Sequence, residues 1–289
     1  MSALHKEKMM IIDAQVHLWT GERPDRPWPE DGQKRAHLKT PMLYEDMIRE
    51  MDAAGVDHVI IVPPSWEGDR NDYALEAAQA HPKRFAVMGR LCLEDPASRA
   101  FIPRWRQHAA MLGVRVNFSD NKLRWLSDGT ADWLWPELEK AGLPVMVHCP
   151  GQQQKIAAVA TAHPHLRIIV DHMNLSTRLP LDSIPEAISA TSQLARFENI
   201  SVKLSSVPVY SREAFPYRNM DHHLRHLLDS FGAHRCHWGS DLSHGKGKIK
   251  YQDYVRHFTE GTFFHNEEER RQVLGVSLQK ILNWPRPHS

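Results

Sequence analysis

The sequence of 289 residues predicts an α/β fold, a (β/α)8 TIM barrel formed as a single domain by residues 1–289. Short apolar runs rich in Val and Ile recur eight times, with amphipathic stretches between them. Strands that are apolar throughout are typical of parallel sheets buried on both faces. Eight such strands alternating with helices over roughly 250 residues fit the barrel, and a doubly wound open sheet is the competing fold.

The predicted strands share a short apolar run that ends at a loop. They cover residues 9–16, 57–62, 84–88, 113–118, 143–147, 166–170, 200–204 and 236–239. Helices are predicted between them where apolar residues recur at helical spacing, and most of these stretches end before Gly or Pro. They cover residues 45–54, 73–80, 131–141, 156–162 and 184–197.

Two segments lie outside this repeat. Residues 21–41 are rich in Pro and charge and are too long for an ordinary connection, so we expect an active-site loop. At the other end, Asn266 is followed three residues later by Glu269, which predicts a helix N-cap. Residues 266–284 are therefore expected to form closing C-terminal helices.

Composition limits the class of partner. Lys and Arg total 36 against 35 acidic residues, so no global field favours nucleic acid or anionic lipid. No signal peptide and no run of about 20 apolar residues is present, which predicts a cytoplasmic protein without a membrane segment. The three cysteines lack C-x-x-C spacing, so a thiolate zinc site is not indicated. We expect a small-molecule substrate, and a homo-oligomer is left open.

Polar residues interrupt the end of the first predicted strand. Asp13, Gln15 and His17 alternate with apolar residues, so they are predicted to share one face that points into the barrel. Burying three polar groups without partners is costly. They either bond to one another or serve a site.

Three later strands also end at ionisable residues. His148 ends the fifth predicted strand, His172 follows the sixth and Asp241 follows the eighth. Barrel enzymes place catalytic groups at the carboxyl ends of their strands. These residues and His17 are therefore predicted to be catalytic, with Asp241 as the general base. His244, three residues further on, is expected at the surface.

This arrangement resembles the amidohydrolase superfamily over nearly the whole chain, in particular amidohydrolase family 2, a branch of small lactonases and decarboxylases such as 2-pyrone-4,6-dicarboxylate lactonase-like proteins. The family has Asp-x-His-x-His on strand one, a His on strands five and six, and an Asp in a Gly-Ser/Thr-Asp context on strand eight. The matching residues are His17, His148, His172 and Asp241. Gln15 stands where the family has its first histidine.

The resemblance also bears on cofactors. It implies that a metal, if bound, would be held by His17, His148, His172 and Asp241. Gln15 weakens this expectation, because a neutral amide is a poor ligand for zinc. The branch also includes members that work without metal. We expect no obligatory cofactor, with one divalent cation, Zn or Mn, as the alternative.

Two cations lie inside predicted strands, where they are rare unless paired or functional. Arg115 and Lys203 are predicted to bind a substrate carboxylate or to stabilise charge on a carbonyl oxygen. Arg90 is a third cation near the same rim, so an anionic substrate is expected. Equally, Arg115 and Lys203 could form buried bridges with Asp13 or Asp171.

The sequence therefore predicts an amidohydrolase-like hydrolase of a small carboxylated lactone. Asp241 would activate water, His17 and His172 would orient it, and Gln15 would hydrogen-bond the substrate. Trp19 and Trp66 are predicted to form apolar walls of the binding site. The alternatives are a metal-dependent decarboxylase or amidohydrolase, and a catalytically silent barrel that binds a ligand.

Overall fold

Eight parallel strands in chain order form one sheet that winds into a nearly closed barrel. The structure is a computed structural model that describes residues 9–245 and 247–285. The strands are β1 Ile12–Val16, β2 His58–Ile61, β3 Phe85–Gly89, β4 Met111–Asn117, β5 Val145–His148, β6 Ile168–Val170, β7 Ile200–Ser205 and β8 Cys236–Gly239. This confirms the predicted TIM barrel and excludes the doubly wound open sheet.

Helices surround the barrel and follow the strands. They are α1 Gly32–Arg35, α2 Tyr44–Ala54, α3 Asp72–Ala80, α4 Leu134–Lys140, α5 Gln153–Ala162, α6 Ile184–Ser192, α7 Val207–Tyr210, α8 Asp221–Phe231, α9 Tyr251–Thr259, α10 Glu267–Arg271 and α11 Ser277–Leu282. Two predicted helices are shorter than expected. Residues 131–133 form turns before α4, and α6 passes into a 3-10 helix at Gln193–Arg196.

The barrel closes between β1 and β8. The backbone N–H of Asp241, just after β8, donates to the carbonyl of Gln15 at 2.9 Å. A Cβ on Gly239 would lie 3.3 Å from the Cβ of Ala14 and from the backbone nitrogen of Gln15, so a side chain there would press the two strands apart. Glycine at position 239 therefore permits the close approach that brings the ends of β1 and β8 together.

Apolar side chains fill the barrel interior below the site. Ile12, Ile60, Met146 and Ile169 belong to one buried cluster, which Leu278 and Leu282 of α11 join. At the start of the C-terminal segment, the Asn266 side chain accepts a hydrogen bond from the Glu269 N–H at 2.9 Å and caps α10. In the described residues, 9–245 and 247–285, no helix is both long and apolar enough to cross a membrane.

Candidate active site

A cavity of about 460 Å³ opens at the carboxyl ends of the strands. Asp241, His17, His172 and His148 lie in its wall, together with residues of the segment 21–41. The lining residues are His17, Lys34, Arg35, His37, Ser65, Trp66, Arg115, Asn117, Ser119, Asp120, His148, His172, Leu175, Ser176, Thr177, Arg178, Tyr210, Asp241 and His244. Residues from both halves of the chain thus converge on one mouth.

Asp241 is the acidic centre of the cavity. Its side chain is 1% exposed, and its Oδ1 lies 3.2 Å from the Nε2 of His17. Its Oδ2 accepts a hydrogen bond from the Ser206 hydroxyl at 2.9 Å and lies 3.4 Å from the Nε2 of His244. Imidazoles and one hydroxyl therefore surround a buried carboxylate.

This environment keeps Asp241 ionised. Burial alone would raise its pKa, but the neighbouring imidazoles of His244 and His172 and the hydrogen bond with His17 outweigh that effect and hold the pKa well below its usual range. A carboxylate that stays charged at neutral pH can accept a proton from water. It cannot act as an acid in its resting state.

His172 faces Asp241 from the end of β6. Its Nε2 lies 3.7 Å from Asp241 Oδ2, and its Nδ1 lies 2.8 Å from the Ser205 hydroxyl and 3.2 Å from the Ser206 hydroxyl. Burial lowers the pKa of His172 to about 3, so the imidazole is neutral at neutral pH. The two serines were not predicted from the sequence, although Ser205 ends the strand β7 that carries Lys203 and Ser206 follows it.

Gln15 lies at the centre of the cluster, below the cavity surface. Its Nε2 is 3.1 Å from the Nε2 of His172, 3.4 Å from that of His17 and 3.5 Å from Asp241 Oδ1. Its Oε1 accepts a hydrogen bond from the Lys203 ammonium at 2.6 Å. The amide thus connects the imidazoles to a buried cation.

Arg115 and Lys203 share a buried acidic partner, Asp171. Lys203 Nζ lies 2.7 Å from its Oδ1, and Arg115 Nε lies 3.2 Å from its Oδ2. Lys203 is 0% exposed and lies outside the cavity lining, whereas Arg115 is part of it. Of the two arrangements left open by the sequence, a bridge to Asp171 is therefore present for both cations, and only Arg115 also reaches the cavity.

The prediction that Asp13 shares a face with Gln15 and His17 is wrong. The register of β1 shifts between Asp13 and Val16, so strict alternation fails there. The Asp13 carboxylate instead accepts hydrogen bonds from the backbone N–H of Ser240 at 2.8 Å and from the Tyr251 hydroxyl at 2.9 Å. Burial raises the pKa of Asp13 to about 6 despite these bonds. Asp13 fixes the β1–β8 junction and does not reach the cavity.

His148 lines the cavity but turns away from Asp241. Its Nε2 lies 2.9 Å from the carbonyl of Leu175, and its Nδ1 lies 3.2 Å from the Asn117 side chain. Its ring centroid is 5.4 Å from that of His172. Burial lowers the pKa of His148 to about 4, so it is neutral. Both ring nitrogens are already engaged by groups outside the Asp241 cluster.

As arranged, these residues do not fit a metal ion. Zinc needs nitrogen and oxygen ligands at about 2.0–2.2 Å. The amide nitrogen of Gln15 occupies the space between the ring nitrogens of His17 and His172 and the carboxylate oxygen of Asp241. The fourth expected ligand, His148, is committed elsewhere. Within the described part of the chain, no group of three or more His, Cys, Asp or Glu side chains is arranged to hold a metal.

Two further histidines line the cavity near Asp241, and the sequence analysis did not predict either of them as a site residue. His244 is exposed, as expected, and one turn after Asp241 it also lines the cavity. His37, from the segment 21–41, stacks on His244 with ring centroids 3.7 Å apart and lies 4.4 Å from the Trp66 ring. Its position three residues after Asp241 could have indicated that His244 lines the cavity, whereas no feature of the sequence indicates this for His37.

The remaining predicted substrate contacts are divided between the cavity wall and the layer behind it. Trp66 lines the cavity, and Trp19 packs edge-on against it with ring centroids 5.0 Å apart. Arg90 is 5% exposed and lies 3.4 Å from Asp69, outside the cavity lining. Trp19 thus packs behind the wall, whereas the contacts of Arg90 with Asp69 and Asn71 lie outside the cavity lining.

Known proteins share this fold and sequence pattern. The amidohydrolase family model matches residues 12–276. An L-fucono-1,5-lactonase of Burkholderia ambifaria is 29% identical over 259 residues, which cover 84% of this chain and 83% of that protein.

Two solved structures show the same barrel. An amidohydrolase from Burkholderia multivorans with bound zinc has a TM-score of 0.79 at 20% identity and covers 96% of this chain and 100% of its own. A protein from Acinetobacter baumannii, assigned as a 2-pyrone-4,6-dicarboxylic acid hydrolase and solved with citric acid, has a TM-score of 0.74 at 18% identity with the same coverage. On the match of the family model over most of its length, the chain belongs to the amidohydrolase family, as an amidohydrolase-like enzyme of its lactonase and decarboxylase branch.

Proposed function

We propose that the protein hydrolyses a small carboxylated lactone, with Asp241 as general base and without an obligatory metal. The observation that carries this proposal is the buried, ionised Asp241 carboxylate in the cavity wall, with imidazoles within 3.2–3.7 Å. The lactonase relative supports the reaction class. A general base must be within hydrogen-bond reach of the water it activates, and Asp241 lines the cavity where that water would enter.

The reaction adds one water to the lactone and yields a hydroxy acid. Asp241 takes a proton from water as the oxygen attacks the lactone carbonyl, and the proton then passes to the ring oxygen as the C–O bond breaks. His17 and His244, whose Nε2 atoms lie 3.2 and 3.4 Å from the carboxylate, are placed to orient the water and to carry the proton. Neutral His172 lies 3.7 Å from Oδ2, the same carboxylate oxygen that His244 approaches.

Positive side chains around the cavity favour an anionic substrate. Lys34, Arg35, Arg115 and Arg178 all line it, whereas Asp120, which pairs with Arg178, and Asp241 are its acidic residues. Because Asp171 holds the Nε of Arg115, the terminal nitrogens can be presented to a carboxylate as a fork. Trp66 would pack against the apolar part of the ring.

A panel of carboxylated and neutral lactones, followed by proton release in a pH-stat, tests the proposal. Asp241→Asn should lower kcat by about 100-fold or more, since general-base catalysis contributes roughly that much. The matched control Asp182→Asn, at a carboxylate that is 90% exposed, should leave kcat unchanged. Chelator treatment should also leave wild-type activity unchanged.

Each alternative has its own outcome. Activity that disappears with chelator and returns with Zn or Mn would overturn the metal-free mechanism and favour the metal-dependent decarboxylase or amidohydrolase. If Asp241→Asn and wild type behave alike on every lactone while a carboxylated ligand still binds, the silent barrel is favoured. A neutral lactone turned over faster than its carboxylated analogue would overturn the substrate class alone.

A further inference from the structure

We propose that the side-chain amide of Gln15 takes the position of a metal ion in this site. Its NH2 group lies 3.1–3.5 Å from the facing atoms of His17, His172 and Asp241, can donate to two of them at a time, and excludes a metal as long as it is there. Gln15 thereby keeps the catalytic site in its metal-free form, a role that rests on the proposed function only as far as lactone turnover is concerned. Its metal-binding consequence can be measured without any substrate.

Lys203 fixes the orientation of the amide. An ammonium group only donates hydrogen bonds, so the Gln15 atom 2.6 Å from Lys203 Nζ must be the oxygen. Lys203 is 0% exposed and is itself held 2.7 Å from Asp171. A flipped amide would place two donors face to face in a buried site, which is costly. The NH2 group therefore points toward the imidazoles.

Both imidazoles turn their Nε2 atoms toward this NH2 group. His17 Nδ1 lies 2.7 Å from the carbonyl of Val62, which only accepts, so Nδ1 carries a hydrogen, and Nε2 is the ring nitrogen that faces Gln15 at 3.4 Å. His172 is neutral, and the serine hydroxyls beside its Nδ1 can accept a hydrogen bond there. Its Nε2 then accepts from Gln15 at 3.1 Å.

The amide and a metal ion compete for the same space. The side-chain atoms that would bind zinc face the Gln15 nitrogen at 3.1–3.5 Å, and zinc at its usual ligand distance would meet the N–H groups instead. Moving the amide aside would break its 2.6 Å bond with Lys203 and leave buried polar groups without a partner. The wild-type site thus favours the amide over the ion.

Zinc titration by calorimetry of the purified full-length protein tests this inference. Gln15→Ala should gain one zinc per chain, because two imidazoles, one carboxylate and water are a recognised zinc shell. Gln15→His should bind at least roughly 10-fold more tightly than Gln15→Ala, since it adds a fourth ligand. Wild type and the exposed control Gln154→His should show no saturable binding at the zinc concentration that saturates Gln15→His.

Nitrogen-15 NMR of the wild-type imidazoles adds a readout independent of zinc: His172 should carry its hydrogen on Nδ1. A wild type that takes up one zinc as tightly as Gln15→His would overturn the inference. So would folded Gln15→Ala and Gln15→His proteins that bind no more zinc than Gln154→His, and Gln15→Ala alone decides if the histidine variant does not fold. If the zinc results hold but no lactone is turned over, only the proposed function fails.

Discussion

Replacing Lys203 with methionine tests how strongly the buried network beneath the cavity stabilises the protein. The ammonium lies 2.7 Å from Asp171 and 2.6 Å from the Gln15 carbonyl, and all three side chains are 0% exposed. Lys203→Met leaves the Asp171 carboxylate with Arg115 as its remaining cation. Breaking a buried ion pair from one side costs about 3–5 kcal/mol, because the other charge stays buried.

The expected loss is therefore about 3–5 kcal/mol in the free energy of unfolding. At about 2–4 °C per kcal/mol for chains of this order of length, Tm should fall by at least roughly 6 °C. Urea and thermal unfolding followed by circular dichroism measure both quantities. Lys83→Met, at an exposed lysine, is the control and should stay within about 0.5 kcal/mol of wild type.

The double variant Lys203→Met/Asp171→Asn also removes the Asp171 carboxylate charge that Lys203→Met leaves without its ammonium partner. It should lose less stability than the sum of the two single variants, because both single changes break the same ion pair. A loss below about 1 kcal/mol for Lys203→Met would refute the reasoning, because buried pairs broken from one side cost several times more. Strict additivity in the double variant would show that the two side chains do not interact.

Three further predictions follow from single contacts. Burial, and then the charge of Lys203, lowers the pKa of buried His237 to about 3, so the unfolded chain binds one more proton than the folded chain between pH 6.5 and 3 and stability is lost as pH falls through that window. His237→Leu should therefore flatten the dependence of the unfolding free energy on pH by about 1.4 kcal/mol per pH unit. An unchanged slope would contradict this prediction. Arg115→Lys should raise KM for a carboxylated lactone roughly 10-fold and leave KM for its neutral analogue unchanged, because a lysine loses the fork; equal effects on both would contradict this. Ser206→Ala removes a hydrogen bond to Asp241 at 2.9 Å, so the acid limb of kcat/KM, which reports the low pKa of Asp241, should move upward by about one pH unit. Rate profiles that extend below pH 4 would detect this move.

The barrel could be predicted from the sequence because its signal is local and repeated. Each strand is a run of β-branched and apolar residues, and each of the eight predicted runs overlaps an observed strand. Helix α8, which the sequence analysis did not predict, shows where the signal fades. Its buried face includes Leu224 and Leu228, but His222, His223 and His226 between and beside them obscure the apolar period.

Because catalytic groups of barrels lie at the carboxyl ends of strands, the sequence predicted that Asp241, His17 and His172 share one cavity. That principle does not give the direction in which a side chain points. His148 is at the predicted strand end, yet its ring turns toward Leu175 and Asn117 because those partners are brought in by other loops. The predicted face of Asp13 was wrong for a related reason, since the register shift in β1 is set by its pairing with β2. His37 comes from a long segment whose conformation depends on contacts with His244 and Trp66. Tertiary contacts decide each of these cases.

Backbone conformation at three consecutive strand ends explains why alternation alone does not describe this site. His172, Ser206 and Asp241, after β6, β7 and β8, all have left-handed backbone angles, with φ of 53°, 59° and 52°. Each such residue costs roughly 1–2 kcal/mol and persists only where surrounding contacts hold it in place. Those contacts are present: the Asp241 N–H donates to the Gln15 carbonyl, and the Ser206 hydroxyl donates to Asp241. The sharp turns after β6 and β7 bring His172 and Ser206 to the Asp241 carboxylate after β8, so the strain is concentrated at the residues that would carry the chemistry.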